Sequence, residues 1–97
     1  MIIVGLGKLI EFGRKHANAR RSLIAWKTAT EQANWKTKQE VLKDFPRARI
    51  ISSDRARFEI VHNLYRLIAQ IFYEKRMVEI RFIGTHKEYD RINPKTI

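Results

Sequence analysis

A histidine and a tyrosine three residues apart are the side chains of this sequence best suited to chemistry. They lie in the run Ile80-Arg81-Phe82-Ile83-Gly84-Thr85-His86-Lys87-Glu88-Tyr89-Asp90, just past an alternating apolar stretch that ends at a glycine. Histidine changes charge near neutral pH, so His86 suits a general acid or base. Tyr89 shares its face if Lys87 to Arg91 form a helical turn. A tyrosine hydroxyl can hold a phosphate or donate a proton, and its ring can stack on a base. Upstream, Arg66 falls mid-strand among apolar neighbours, where a guanidinium is costly unless it pairs or binds an anion. The plain alternative for Arg66 is a cross-strand ion pair with Glu59 or Glu79. Arg81 has the same two readings, with Glu79 on its own strand favouring the ion pair. Arg57 reads as a solvated cation or a phosphate contact.

The whole chain supplies the setting for these groups. Twenty Lys and Arg against ten Asp and Glu give a formal net charge of +10 over 97 residues. Such a balance steers a protein toward phosphate backbones, or toward an acidic partner protein, and makes binding sensitive to salt. Ninety-seven residues make a single domain, 1–97, and the 44% apolar fraction is enough for one core. There is no cysteine, and His16, His62 and His86 show no metal-ligand spacing, so neither a disulfide nor a metal or other cofactor is expected. The apolar stretches are too short to cross a bilayer, and residues 1–15 lack a signal-peptide pattern, so the cytoplasm is the expected location. No phosphate-cradling glycine loop, Gly-x-Ser-x-Gly elbow or convincing carboxylate pair is present, which argues against a hydrolase of proteins or sugars.

The elements that must position the candidate residues divide near Pro46. Ile2 to Val4 is a short β-branched run and reads as a strand. Helical spacing follows in Leu9, Ile10 and Phe12, and again in Leu23, Ala25, Trp26, Ala29 and Ala33, with Asn34 closing the second helix. Thr37 and Glu40 have capping-box spacing for a short helix over Lys38 to Asp44, which Phe45-Pro46 ends. From Arg49 the period becomes two. Strands are expected over Arg49 to Ser52, Arg57 to Val61, Leu64 to Tyr73 and Met77 to Ile83, with tight connections at His62-Asn63 and Glu74-Lys75-Arg76. The tail from Asn93 to Ile97 is expected to be loosely held.

This order predicts an α+β domain: N-terminal helices on one face of a mainly antiparallel twisted sheet, with a short C-terminal helical turn. Strand parity places Tyr65, Leu67, Ala69 and Ile71 with Val78, Ile80 and Phe82 on the apolar side. The other face collects Arg57, Glu59, Arg66, Gln70, Glu79 and Arg81, a mixed but arginine-rich platform for phosphates. Trp26 and Trp35 read as core anchors.

Three segments, Asn34-Trp35-Lys36-Thr37, Asn63-Leu64-Tyr65-Arg66-Leu67-Ile68 and the 80–90 run, resemble the HigB toxin family of the RelE/ParE superfamily of bacterial type II toxin–antitoxin systems. The resemblance extends over nearly the whole chain in length, element order and basicity. It implies a RelE-like fold and a ribosome-dependent mRNA endonuclease without metal, in which the ribose 2′-hydroxyl attacks the adjacent phosphate. It implies that Arg66 is the strand arginine that stabilises the developing phosphorane charge. His86 falls where RelE-like relatives place a catalytic arginine after the glycine, and Tyr89 supplies a C-terminal aromatic at a spacing different from that of RelE. The lysine pair that RelE carries before its strand arginine has Arg55 and Arg57 as nearest substitutes. Arg55, Arg57, Arg81 and Lys87 are then the expected RNA contacts. The implied partners are a HigA-type helix-turn-helix antitoxin, the ribosome with its mRNA, and operator DNA reached through the antitoxin. Two other readings stay open: a ParE-like gyrase-binding toxin, and a basic RNA-binding module without catalysis.

Overall fold

The computed structural model describes residues 1–97 and has the α+β architecture expected from the sequence. Strand β1 (Ile2–Val4) leads into helix α1 (Leu6–Lys15), a 3-10 turn at Ala17–Ala19, α2 (Arg20–Gln32) and α3 (Lys38–Asp44). Four strands follow, β2 (Arg49–Ser52), β3 (Arg55–Ile60), β4 (Tyr65–Phe72) and β5 (Met77–Thr85), and the one-turn helix α4 (His86–Tyr89) comes after them. The sheet order is β1-β5-β4-β3-β2. All neighbouring strands run antiparallel except β1, which pairs in parallel with β5 at the edge. No helix is long and apolar enough to cross a membrane.

The chain enters α1 through Gly5, whose φ of 91° is left-handed and costs glycine nothing extra. A Cβ there would also crowd the Ile80 side chain at 3.3 Å. Helix α2 ends at Gln32, two residues before Asn34, because Ala33 turns to extended geometry. Its last carbonyls are capped by the Met1 ammonium, which donates to Thr30, Glu31 and Ala33 at 3.2, 3.2 and 2.7 Å. A cation there satisfies orphan acceptors and meets the negative end of the helix dipole. At α3, Thr37 Oγ1 accepts from the Glu40 amide as its spacing predicts, but the Glu40 carboxylate reaches the Lys36 amide rather than that of Thr37.

The core lies between the helices and the sheet face formed by Ala56, Phe58, Ile60, Tyr65, Leu67, Ala69, Ile71, Val78 and Ile80. Helix α1 contributes Leu9 and Phe12, α2 contributes Leu23 and Trp26, and α3 contributes Val41. Phe58 is the hub of an aromatic group, with Phe45, Trp26 and Trp35 at centroid distances of 5.0, 5.4 and 6.4 Å. Trp35 is buried, and its indole N–H donates to Asp44 at 2.8 Å, so its polar edge is satisfied at the end of α3.

The sheet departs from simple parity at one place. Ala69 pairs with Ile80 but Ile68 pairs with Phe82, so β5 carries one unpaired residue, Arg81. This β-bulge reverses the facing of every later residue on β5. Ile83, opposite Leu67, now packs against the core, and Phe82 moves to the other face beside Ile68. The expectation that Phe82 continues the Val78–Ile80 stripe is therefore corrected by the bulge. Strand β5 also runs through Gly84 to Thr85 rather than stopping at Ile83, and β3 begins at Arg55 rather than Arg57.

The second face of the sheet is covered in part by residues 86–97. Ile68 is fully buried yet stands outside the main core cluster, because it lies under this C-terminal cover. The segment after Asn93 is folded, not loose: the Thr96 and Ile97 amides donate to Asn93 O at 3.1 and 2.9 Å. Replacing Trp35 with alanine should cost about 3–5 kcal/mol of stability, read as a fall in the thermal or urea midpoint with the far-ultraviolet spectrum retained at low temperature.

Candidate active site

The site is built on the sheet face opposite the helices, where β3, β4 and the end of β5 meet α4. Alternation along β3 sends Arg55, Arg57 and Glu59 to this face, each half-buried between buried core residues. The same alternation on β4 sends Arg66, Ile68 and Gln70 there. The bulge adds Phe82 from β5. Gly84 then pairs with Arg66, and a Cβ at that glycine would stand 2.5 Å from the Phe82 ring and 3.1 Å from a Glu88 carboxylate oxygen. Only glycine lets the Phe82 ring fold back over the strand at this point.

Helix α4 starts immediately beyond. Thr85 is its N-cap and forms a reciprocal capping box: Thr85 Oγ1 accepts from the Glu88 amide at 3.3 Å, and the Glu88 carboxylate accepts from the Thr85 amide at 2.8 Å. A single helical turn is marginal by itself, so this pair of bonds fixes it against the strand. The hydrogen bond from the Thr85 amide, aided by the Thr85 hydroxyl contact, holds the Glu88 carboxyl below the ordinary carboxylate range against a smaller opposing effect of burial.

The turn sets His86 and Tyr89 over the sheet. The Tyr89 ring lies 6.2 Å from the Phe82 ring, and two guanidinium carbons approach it, Arg66 at 4.8 Å and Arg57 at 5.8 Å from its centroid. Neither arginine has a carboxylate partner. Arg66 faces Glu59 in register but forms no ion pair with it, and Glu79 lies four residues further along, opposite Gln70, and pairs with Arg81 instead. Its one polar contact is a long bond from Nε to Asn63 Oδ1 at 3.4 Å. Arg57 Nε is buried without any partner. Cation–aromatic contacts contribute about 0.5–2 kcal/mol each, whereas a hydrogen bond to a charged group contributes about 1.5–3 kcal/mol. The two cations are thus held in place but left with unused donors for an anion.

Asn63 joins the histidine to this group. His86 Nε2 bonds the backbone oxygen of Asn63, the residue whose side chain meets Arg66. With Nε2 donating to a carbonyl, the neutral ring carries its free lone pair on Nδ1. The β3–β4 loop that presents Asn63 has two successive left-handed residues, Val61 at φ 53° and His62 at 56°. That conformation is costly for a β-branched residue such as Val61. No cue in the sequence singled out Asn63 beyond its place in a turn, and Phe82 was hidden by the bulge.

The remaining expected contacts behave differently. Arg81 Nη1 pairs with Glu79 at 3.1 Å, and its Nε donates to Ile97 O at 3.0 Å. Arg55 Nη1 donates to the same Ile97 oxygen at 2.6 Å and to Pro94 O at 3.2 Å. Lys87 is exposed on α4 and makes no ion pair. No three His, Asp or Glu side chains converge as a metal cage would require. What the central cluster can do chemically is narrow: bind an anion between two guanidinium groups, stack on an aromatic ring, and exchange a proton at one imidazole.

A family model described as HigB_toxin, the RelE-like toxic component of a toxin–antitoxin system, matches residues 19–92. The matched span contains Arg57, Asn63, Arg66, Phe82, His86 and Tyr89. No curated protein gives a significant match to the chain.

Two outcomes follow from the geometry around α4. Glu88 has a depressed folded pKa, so its capping contribution is fully present above the ordinary value of about 4.3 and is lost as pH falls through the depressed one. Amide-exchange protection of α4 should therefore be lost on acidification to below the ordinary carboxylate range, and Glu88→Ala should remove that pH dependence. Gly84→Ala should displace the Phe82 ring at a cost of about 1–3 kcal/mol, seen as large shifts of the Phe82 and Tyr89 ring resonances.

Proposed function

Because the chain belongs to the HigB family of RelE-like toxins, we propose that it is a ribosome-dependent mRNA endonuclease whose site is the cluster of Arg57, Arg66, His86 and Tyr89. The observation that carries this reading is the pair of guanidinium groups, Arg57 and Arg66, that lie against the Tyr89 ring without a carboxylate partner. A basic face of this kind suits a phosphodiester, and the tyrosine beside the two cations suits the adjoining base.

The reaction is attack of a ribose 2′-oxygen on the neighbouring phosphorus, with loss of the 5′-oxygen of the next nucleotide. His86 Nδ1 takes the 2′-hydroxyl proton while the Asn63 carbonyl holds the ring through Nε2, an orienting role like that of the third group in other base-assisted sites. Arg66 and Arg57 offset the charge that builds on the non-bridging oxygens. The departing oxygen needs a proton, which the protonated His86 or the Tyr89 hydroxyl supplies. The products are a 2′,3′-cyclic phosphate and a 5′-hydroxyl, so atoms and charge balance without a metal. So sparse a set of groups suffices if the ribosome holds the mRNA bent for in-line attack, since alignment alone lowers a barrier by several kcal/mol, up to about 7–11.

Family membership implies an antitoxin partner. We assign it as a HigA-type helix-turn-helix protein, through which the complex reaches operator DNA. Ile10 and Ile24, 71% and 64% exposed, flank an apolar groove between α1 and α2 that suits a protein partner. Arg55, Arg81 and Lys87 extend the basic surface along the RNA path of this reading.

Primer extension on mRNA after induced expression tests the reading. New cuts phased to codons are expected, and His86→Gln should lower their yield by about 10²-fold or more while the protein stays folded. Arg66→Ala should cost about 10²–10³-fold. DNA damage without mRNA cuts would instead indicate a gyrase-binding toxin, and undiminished cutting by folded His86→Gln would remove the histidine from the mechanism.

A further inference from the structure

Two of the basic residues on the active face are already occupied, and by an unusual ligand. Arg55 of β3 and Arg81 at the β5 bulge direct donors onto one backbone oxygen, that of Ile97, at 2.6 and 3.0 Å. Arg55 also holds Pro94 O at 3.2 Å. These oxygens are delivered by a compact turn: the Lys95 amide donates to Asn93 Oδ1 at 3.0 Å, and the Ile97 amide donates to Asn93 O at 2.9 Å. Convergence of two guanidinium groups on a single oxygen is the arrangement that binds phosphate oxygens.

The place of this pair on the sheet matters. Arg55 and Arg57 are two residues apart on one face of β3, a step of about 7 Å, comparable to the spacing of neighbouring phosphates in a single strand. Arg81 reaches the same point from across β4, where Gln70 stands in register between Arg55 and Glu79. The Arg57–Arg66–Tyr89 cluster is therefore followed along β3 by a second cationic centre.

We propose that Arg55 and Arg81 form a second phosphate subsite, for the nucleotide next to the scissile one, and that residues 93–97 mask it by placing the Ile97 oxygen where an RNA phosphate oxygen would sit. The proposal rests on the RNA-cleaving reading above and adds a competition to it. An incoming strand displaces the tail, so binding of the flanking phosphate costs the tail contacts. Glu79 keeps Arg81 oriented during the exchange.

The test uses the full chain and a 2′-O-methylated hexanucleotide, which presents phosphates but no nucleophile, so it reads binding whether or not cleavage occurs. The tail turn is loosened by Asn93→Gly with Pro94→Gly, which removes the Oδ1 acceptor and the fixed φ. Fluorescence anisotropy should show about three- to tenfold tighter binding. The slope of log K against log salt should stay the same on loosening, because the same phosphates are held once the tail is displaced, and should fall by about 0.7 for each phosphate lost with the arginines. Adding Arg55→Gln and Arg81→Gln to the loosened chain should abolish the gain. In the unaltered protein, the Arg55 and Arg81 Nε–Hε resonances should shift as the probe is added. An unchanged or weaker affinity on loosening overturns the proposal. So does a gain that persists without the two arginines, or a titration that moves only Arg57 and Arg66. Undiminished cleavage by folded His86→Gln with these binding results intact would mark failure of the catalytic assignment, distinct from failure of the subsite.

Discussion

One unpaired residue in β5 determines which side chains meet on the sheet face that carries the candidate site. Without the bulge at Arg81, alternation would send Phe82 into the core, whereas Arg81 stays beside Glu79 on the open face. With it, Phe82 stands beside Ile68 as a support for Tyr89, and Ile83 fills the core position. Gly84 follows from the same event, because the Phe82 ring folds back over it and leaves no room for a Cβ. The capping box of α4, and with it the placing of His86 and Tyr89, starts from the strand end that this geometry fixes.

The face so built separates its arginines by what satisfies them. Arg57 and Arg66 rest against an aromatic ring and retain free donors, while Arg55 and Arg81 are spent on Glu79 and on backbone oxygens of residues 94 and 97. A cation–aromatic contact restrains a guanidinium without neutralising it, which suits a group that must meet charge developing on a phosphate. Helix packing on the opposite side keeps the arrangement rigid. Phe58, at the centre of the aromatic core, lies on β3 between Arg57 and Glu59, so the core and the site share one strand.

Much of this was legible in the sequence, for physical reasons that can be named. The change from helical to alternating period at Arg49 reports burial of one sheet face, and the fold class follows from it. Thr37 and Glu40 announced α3, and the Glu79–Arg81 pair was legible because both lie on one short stretch of strand. The facing of Phe82 was not legible, since a bulge changes parity through a pairing offset that no single residue type marks. Asn63 was equally hidden: its role comes from a backbone oxygen, which every residue has. A loosely held tail is what a chain terminus suggests by itself, yet arginines on the sheet supply donors that hold its oxygens. Tyr89 was read from its spacing to His86, but its contact with two guanidinium groups required the third dimension.

The central claim is that a 2′-hydroxyl, guided by this cluster, cleaves mRNA on the ribosome. It is tested most directly with programmed ribosomes and two mRNAs that differ by a single 2′-deoxy nucleotide at the cut position. The account predicts that the all-ribose message yields a fragment ending in a 2′,3′-cyclic phosphate, detected by mass, and that the deoxy-substituted message stays whole at that position. Equal cleavage of both messages, or a fragment with a free 3′-hydroxyl, would contradict it.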